Sequence, residues 1–331
     1  MLMIKYNSIL VTGGTGSFGK EFIKRLIKSK TKLKRLVVFS RDEWKQNEMA
    51  KNYPTSRYPF IRYFLGDVRD YERLKRAFKD IDLIIHAAAL KQVPAAEYNP
   101  IEFIKTNIIG AQNIIEASME QNVKKVIALS TDKAAAPLNL YGATKLCSDK
   151  LFIAANNYSG KNIFSICRYG NVMGTRGSVI PLFLDQVKNG KITITDKKMT
   201  RFNITLNESI DLVLYAVKNS LGREIFVPKI PSYRITDLAK SISDKCKIEV
   251  IGIRAGEKVH EEMITFNDSF NTIENSKYYI ILPSLNELQK EKYLKYYKAK
   301  KINKPFSYNS ETNSKFLSIK ELKNLIQKNI N

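Results

Sequence analysis

The sequence predicts an α/β fold, a doubly wound parallel sheet with a smaller C-terminal lobe, on three observations. In the first half, short runs that are apolar throughout alternate with amphipathic stretches. That pattern suits parallel strands covered on both faces by helices. A glycine-rich turn, Thr12-Gly13-Gly14-Thr15-Gly16-Ser17-Phe18-Gly19, joins the first strand-like run to the first helical one. After about residue 170 the alternation breaks, and Gly170, Gly174, Gly177, Pro181 and Gly190 mark loops.

Taken in order, Ser8-Ile9-Leu10-Val11-Thr12 is the first strand. Glu21 to Lys28 has helical periodicity, with Phe22, Ile23, Leu26 and Ile27 facing inward. Residues 36–39, 60–64, 83–86 and 126–129 are further strands, with helical stretches near 42–52, 70–79 and 98–121. Beyond the break, helices are expected near 208–219 and 234–245, and short strands near 224–227 and 247–253. The spans divide as 1–170 for a Rossmann-type domain and 171–283 mainly for a lobe over the carboxyl edge of the sheet, where α/β proteins bind ligands. Residues 284–331 form a Lys- and Asn-rich tail expected to pack loosely.

At 331 residues the chain exceeds a typical single domain, and its 44% hydrophobic content supplies a real core. The cysteines Cys147, Cys167 and Cys246 are scattered without metal spacing, which fits a reducing compartment. The N-terminus runs almost at once into a strand, with no long apolar h-region, and no run of about 18 apolar residues occurs. A soluble, cytoplasmic protein without membrane insertion is expected. The net charge of +23 raises nucleic-acid or anionic-membrane binding, most sharply at Gln289 to Lys301, where lysine alternates with tyrosine. Charge runs usually form solvated faces, so no nucleic-acid partner is expected. A positive field also helps to gather anionic nucleotides.

Gly13, Gly16 and Gly19 recur every third residue between a strand and a helix. Glycine permits the tight turn and lets the backbone approach a pyrophosphate at a helix N-terminus. Thr15, Ser17 and Phe18 complete that turn. The second strand ends in Ser40-Arg41-Asp42. An acid there binds the ribose of NAD and an arginine accepts a 2′-phosphate, and with Ser40 and Arg41 first, NADP is favoured over NAD. Asp42 remains either a ribose ligand or a helix cap. Asp67 and Val68 close the third strand beside the adenine, with an N-cap as the other role for Asp67. Ala87, Ala88 and Ala89 offer small side chains beside the cofactor, and Lys91 can reach a cofactor or substrate oxygen.

Ser130-Thr131-Asp132-Lys133 is followed by Tyr141 and Lys145. Positions four apart share a helix face, so Lys145 is expected to sit beside the Tyr141 phenol and lower its pKa. A Tyr–Lys pair alone serves simple hydride transfer. The adjacent acid and amine of Asp132 and Lys133 suggest chemistry on more than one carbon. An exposed ion pair at a strand end is the structural alternative.

The segments TGGTGSFG, HAAALKQVP, STDKA, NLYGATK, RYGNV, RGSVIP and GIRAGEK occur in this order. Over about residues 7–283 the chain resembles the extended short-chain dehydrogenase/reductase superfamily. More closely, it is similar to the inverting UDP-N-acetylglucosamine 4,6-dehydratases that open pseudaminic acid synthesis, often for flagellin glycosylation. The resemblance implies that Tyr141, with Lys145, takes the sugar 4-hydroxyl proton as hydride leaves C4 for NADP. Thr131 hydrogen-bonds that hydroxyl. Lys133 then removes the C5 proton, Asp132 protonates the departing 6-hydroxyl, and the hydride returns to C6. The base role requires a depressed Lys133 pKa, with Lys145 and the nicotinamide as the expected positive neighbours, and the acid role requires Asp132 to be protonated, which burial favours.

The resemblance also implies that Asn171 and the Arg176-Gly177-Ser178-Val179 loop hold UDP-N-acetylglucosamine. Thr195, Met199 and Arg201 line its nucleotide end, Arg254 contacts diphosphate, and Glu257 bonds ribose or uracil. It further implies homo-oligomers, often hexamers, and no metal. Two positions depart from the family pattern: Asn203 stands where tryptophan is frequent and Ala255 where proline is. The competing readings are a UDP-sugar 4-epimerase, which shares Tyr-x-x-x-Lys but needs no acid for a leaving hydroxyl, and a retaining dehydratase, which commonly carries Met at Tyr141. A third is a non-catalytic, cofactor-sensing protein, which has no use for the catalytic set.

Overall fold

The computed structural model describes residues 4–29, 31–175 and 177–330, the last without its side chain. The first half builds the sheet. Strand β1 (Ser8–Thr12) leads into helix α1 (Ser17–Ile27). Then follow β2 (Arg35–Ser40), α2 (Glu43–Asn52), β3 (Ile61–Leu65), α3 (Tyr71–Phe78) and β4 (Leu83–His86). Helices α4 (Val93–Tyr98), α5 (Pro100–Phe103) and α6 (Gly110–Glu120) precede β5 (Lys125–Thr131), α7 (Leu140–Ala155) and β6 (Ile163–Tyr169). These six strands are mutually parallel in the order β3-β2-β1-β4-β5-β6. The order reverses between β1 and β4, so the switch point lies where the glycine turn leaves β1. Residues of β1, β2, β4, β5 and β6 divide between two cores, one on each face of the sheet, which is why their sequences are apolar throughout.

The helical stretch expected over 98–121 is not one helix. Pro100 cannot donate a backbone hydrogen bond, and Asn99 before it is driven out of helical geometry (φ −123°, ψ 59°). Ile104–Ile109 is a π-helical segment that buries Thr106 and Asn107. π-bulges of this kind gather at functional sites.

The second half continues with β7 (Asn171–Val172), α8 (Val179–Val187), β8 (Lys191–Ile194), β9 (Thr200–Ile204) and α9 (Leu206–Asn219). After these come β10 (Ile225–Pro228), β11 (Ser232–Arg234), α10 (Ile235–Ile242), β12 (Lys247–Val250), β13 (Glu262–Ile264), α11 (Phe266–Ser269), β14 (Thr272–Glu274) and β15 (Tyr278–Ile281). The chain closes with α12 (Glu287–Tyr297), β16 (Lys300–Lys301), β17 (Tyr308–Asn309) and α13 (Ile319–Ile330). Three small sheets, β11-β9-β7, β12-β8 and β13-β17, stand apart from the large one, and β13 packs against the turn that follows β5. The chain does not stay in this lobe. Strand β10 adds parallel to β6, and β15, β14 and β16 extend the same sheet antiparallel to ten strands.

The tail departs from the loose packing expected of its composition. Tyr297, Tyr308, Leu317, Leu322 and Ile326 are buried. The tyrosine interleaving explains this: Tyr297 packs on Phe226 and donates its hydroxyl hydrogen toward Glu224 Oε1 (2.8 Å) and Asn219 O (3.1 Å). The lysines between face water while the Tyr297 ring enters the core, and α13 closes a separate core with Met199, Tyr233 and Leu238. Among the described residues no helix is long and apolar enough to cross a membrane.

Candidate active site

Strand β5 delivers the central group. Its last residue, Thr131, caps a single 3₁₀ turn, Asp132–Ala134, its Oγ1 accepting from Lys133 N at 3.4 Å. The Thr131 hydroxyl donates to Asp132 Oδ1 at 2.8 Å. Helix α7 follows, capped by Asn139, which accepts from Gly142 N at 2.8 Å and donates to Gly256 O at 2.7 Å. Gly142 lets this helix lie on the turn, since a Cβ there would stand 2.3 Å from Lys133 O. Tyr141 is thereby buried beside Asp132 and Lys133, and Lys145 is buried one turn further along α7.

Lys133 Nζ lies 3.1 Å from Asp132 Oδ1 and 3.0 Å from Glu261 Oε1. Asp132 is fully buried and Glu261 is 2% exposed. Burial raises the Asp132 pKa, as an acid role requires, and Lys133 opposes the rise. For Lys133 the expectation of a depressed pKa is corrected. Burial pushes it down, but the carboxylates of Asp132 and Glu261 outweigh burial and lift it above the ordinary lysine value. The cation that opposes them is Arg201, not Lys145.

The expected Tyr141–Lys145 pairing is corrected too. Burial pushes the Tyr141 phenol up to about 12, and the cation that pulls it back is Lys133. Lys145 Nζ donates to Leu129 O at 2.8 Å, and its own pKa is lowered by burial against the pull of Asp149. Asp149 in turn accepts from Ser130 Oγ (2.8 Å) and Arg168 Nη2 (3.2 Å) behind the site.

The cofactor side is built from small residues. At Gly13 (φ +66°) a Cβ would stand 2.9 Å from Ala88 N, and at Gly19 one would stand 2.6 Å from Gly13 O. Helix α1 starts at Gly16 with no side-chain cap and no acidic residue in its first turn, where Ser17 and Phe18 lie. Its amide groups therefore suit an anion. Thr12 knits this turn to the next, accepting from Ala87 N (3.1 Å) and Ala88 N (3.2 Å) and donating to His86 Nδ1 (2.8 Å). Thr15 Oγ1 donates to Ser40 Oγ at 3.0 Å. Asp42 caps α2, accepting from Lys45 N at 2.9 Å, and pairs with the Lys45 ammonium. Arg41 is half exposed, 3.6 Å from Asp67, and the cap of α3 is Asp70, not Asp67. Val68 is buried, and burial followed by the charge of Lys133 lowers the Lys91 pKa. The glycine cradle and the uncapped helix fit a nicotinamide dinucleotide.

After β6, Asn171 Oδ1 and Ser178 Oγ are buried without a hydrogen-bond partner, as are Asp132 Oδ2 and Glu261 Oε2 at the Lys133 cluster. Gly177 takes φ +73°, Val179 opens α8, and Arg176 lies outside the described residues. Thr195 is partly buried and Met199 lies in the small core. Arg254 and Glu257 close a turn on each other, Glu257 N donating to Arg254 O at 3.1 Å. Arg201 stands at the Lys133 end, its guanidinium fixed by the carbonyls of Thr200, Val259 and Lys258 at 2.7–2.9 Å.

Four residues escape sequence reasoning. Glu261 is one of two adjacent glutamates, and nothing in the sequence says which turns inward. Buried Tyr233, whose phenol burial raises to about 12, feels Arg201 and then Lys133 from β11. Asn107 in the π segment accepts from Leu90 N and donates to Leu90 O, both at 2.9 Å, and donates to Thr144 Oγ1 at 3.0 Å. It ties the segment before Lys91 to α7. Ser310 holds Glu261 from the tail. Only long-range folding brings these residues in.

A buried Tyr-x-x-x-Lys helix beside a dinucleotide cradle on this sheet defines an enzyme of the short-chain dehydrogenase/reductase class. The chain belongs to the polysaccharide biosynthesis protein family, whose model matches residues 9–283. It is 51% identical to a UDP-N-acetylglucosamine 4,6-dehydratase (inverting) of Campylobacter jejuni, over 98% of each chain. Identity falls to 41% with a UDP-glucose 4-epimerase of Rickettsia akari, covering 96% of this chain and 95% of that one. The crystal structure of Pen from Bacillus thuringiensis superposes with a TM-score of 0.88 at 38% identity, over 98% of this chain and all of the other.

Proposed function

We propose that the protein is an NADP-dependent UDP-N-acetylglucosamine 4,6-dehydratase that inverts C5. The product is a UDP-4-keto-6-deoxy-L-arabino-hexose, destined for pseudaminic acid and surface glycans. The observation that carries this reading is buried Asp132 paired with the partly open Lys133 beside Tyr141, an acid and an amine that epimerisation at C4 does not need. When bound, the nicotinamide supplies the acceptor, and later the donor, of one hydride.

Tyr141, as the phenolate that the Lys133 charge helps to form, takes the proton of the sugar 4-hydroxyl, which Thr131 holds. A ketone at C4 acidifies the C5 proton, and Lys133 removes it as the amine formed when one proton of its ion pair passes to the Asp132 carboxylate. Asp132, whose raised pKa favours holding that proton, gives it to the departing 6-hydroxyl, water leaves, and C5 takes a proton on the opposite face as hydride returns to C6. Gly13, Thr15, Gly16, Ser17, Phe18 and Gly19 hold the pyrophosphate. Asp67, Val68 and Ala87 to Ala89 flank adenine and nicotinamide, with Lys145 and Lys91 nearby. Asn171, Gly177, Ser178 and Val179 enclose the hexose, and Thr195, Met199, Arg201, Arg254 and Glu257 the nucleotide. The orphaned oxygens of Asn171 and Ser178 support that placement, because buried polar atoms seek partners.

Incubation with UDP-N-acetylglucosamine in deuterated water, followed by NMR, tests the reaction. Deuterium at C5 with a new C6 methyl is expected. An intact 6-hydroxymethyl with inversion at C4 would leave the epimerase reading in its place. NADP is preferred because the Asp42 carboxylate serves a helix cap and Lys45, while Arg41 stands exposed at the same strand end. Arg41→Ala should weaken NADP binding about tenfold and leave NAD binding little changed. Equal titration curves for the two proteins would remove the preference. The protein is further read as a homo-oligomer, and a monomer by light scattering would end that part.

A further inference from the structure

We infer that Glu261 is the residue that positions the Lys133 amine for removal of the C5 proton, an inference that rests on the dehydratase reading above. Lys133 Nζ is gripped from two sides, by Asp132 Oδ1 at 3.1 Å and by Glu261 Oε1 at 3.0 Å. Both carboxylates are buried, while the lysine side chain keeps 22% of its surface open. The opening of this cluster is therefore at the amine.

Glu261 is held as a fixed point. Its backbone N donates to Ser310 Oγ at 2.9 Å, and Ser310 N donates to Glu261 O at 2.8 Å. Ser310 Oγ and Thr200 Oγ1 share a further bond at 2.7 Å. Arg201 Nε lies 3.7 Å from the carboxylate. Burial works against the Glu261 charge, but Lys133 and Arg201 outweigh it and keep the carboxyl ionised.

A neutral amine has two N–H groups and one lone pair. With its N–H groups given to Asp132 Oδ1 and Glu261 Oε1, the lone pair takes the remaining tetrahedral direction. This is the arrangement in which a base is oriented by a third group. Without Glu261 the amine keeps one anchor and rotates about the end of a flexible stem.

The groups facing Lys133 are Asp132 on its own turn, Tyr141 from α7, Arg201 from β9, Tyr233 from β11, Lys91 from the segment after β4, and Glu261. Replacing the Glu261 carboxylate by an amide removes a negative charge from an ammonium, so the Lys133 limb of the kcat profile moves to lower pH.

The test uses full-length Glu261→Gln and Glu261→Asp, loaded with NADP and given UDP-N-acetylglucosamine. Exchange of the C5 proton is read by NMR, C4 oxidation by nicotinamide absorbance, and folding by melting temperature. For Glu261→Gln, the plateau values of C5 exchange and kcat above the Lys133 limb should fall about 10- to 100-fold with KM within about twofold. C4 oxidation should persist, and the limb should move to lower pH. Glu261→Asp keeps the charge and changes the reach, so it should slow exchange while leaving the limb in place. Unchanged exchange in Glu261→Gln, or a slow variant with an unmoved limb, overturns the positioning role. Failure of the unmodified enzyme to form a C6 methyl would instead overturn the dehydratase reading.

Discussion

One side of Lys133 comes from a single stretch of chain: Thr131 and Asp132 close β5, and Tyr141 and Lys145 follow on α7. The other side gathers Arg201 from β9, Tyr233 from β11 and Glu261 ahead of β13, and Ser310 from the tail fastens it. The near side keeps its shape through local rules, namely a capped turn, a capped helix and residues four apart on one face. The far side has no local rule behind it. Its geometry exists only because small strands of the second half and the tail fold together beside the turn that follows β5. Near-side changes should therefore strike chemistry first, and far-side changes stability and alignment.

The largest effect is expected at the chemistry itself. Lys133→Ala should abolish elimination, with C5 exchange down about a thousandfold, while C4 oxidation is slowed far less by loss of the cation that lowers the Tyr141 phenol. Equal loss of both steps would remove the base from Lys133 and blur the contrast between the two sides. Next is Gly142→Ala. Helix propensity alone would favour alanine, but the added Cβ meets Lys133 O at 2.3 Å. Overpacking should win, costing about 1–3 kcal/mol and displacing the catalytic turn. A melting temperature equal to that of the unmodified protein would mean that the turn yields freely.

Acid should separate the two sides by pH. His86, fully buried on the near side, has its pKa lowered from 6.5 to about 3 by burial and then by Lys145. A depressed folded pKa means that the unfolded chain binds the proton first. Stability is then full above pH 6.5 and falls as pH drops toward 3, by up to about 1.4 kcal/mol per unit. Glu261, also depressed, contributes above the unfolded pKa of about 4.3, and that contribution is lost only below it. Urea midpoints at pH 8 and pH 5 should therefore differ in the unmodified protein and differ less in His86→Gln. The same difference in both proteins would assign the acid sensitivity elsewhere. The smallest effect is expected for Ser310→Ala, which leaves Glu261 N without its acceptor and should cost about 1–2 kcal/mol with only a few-fold loss of kcat. A kcat loss as deep as that of Lys133→Ala would make the tail part of the chemistry.

The sequence made the large sheet legible because its inner parallel strands are apolar on both faces, so β1, β2, β4 and β5 stand out as unbroken runs. The helix over 98–121 was harder to place, because its periodicity continues through Pro100 while the backbone does not. The tail misled through composition. Its lysines outnumber its aromatic residues, yet burial is decided by where Tyr297 and Tyr308 point, not by how many charges lie between them.

The same split holds for the site. Residue order along the chain determined that an acid, an amine, a phenol and a second amine would stand at the end of one strand and the start of the next helix. It also determined that a glycine cradle would lie at the switch point of the sheet. Tertiary structure alone decided which cation the Tyr141 phenol feels, and that a second buried carboxylate grips Lys133. The physical reason is that strand and helix periodicity fix neighbours a few residues apart, whereas the field at a buried amine sums every charge that folding brings within reach, however distant in the chain.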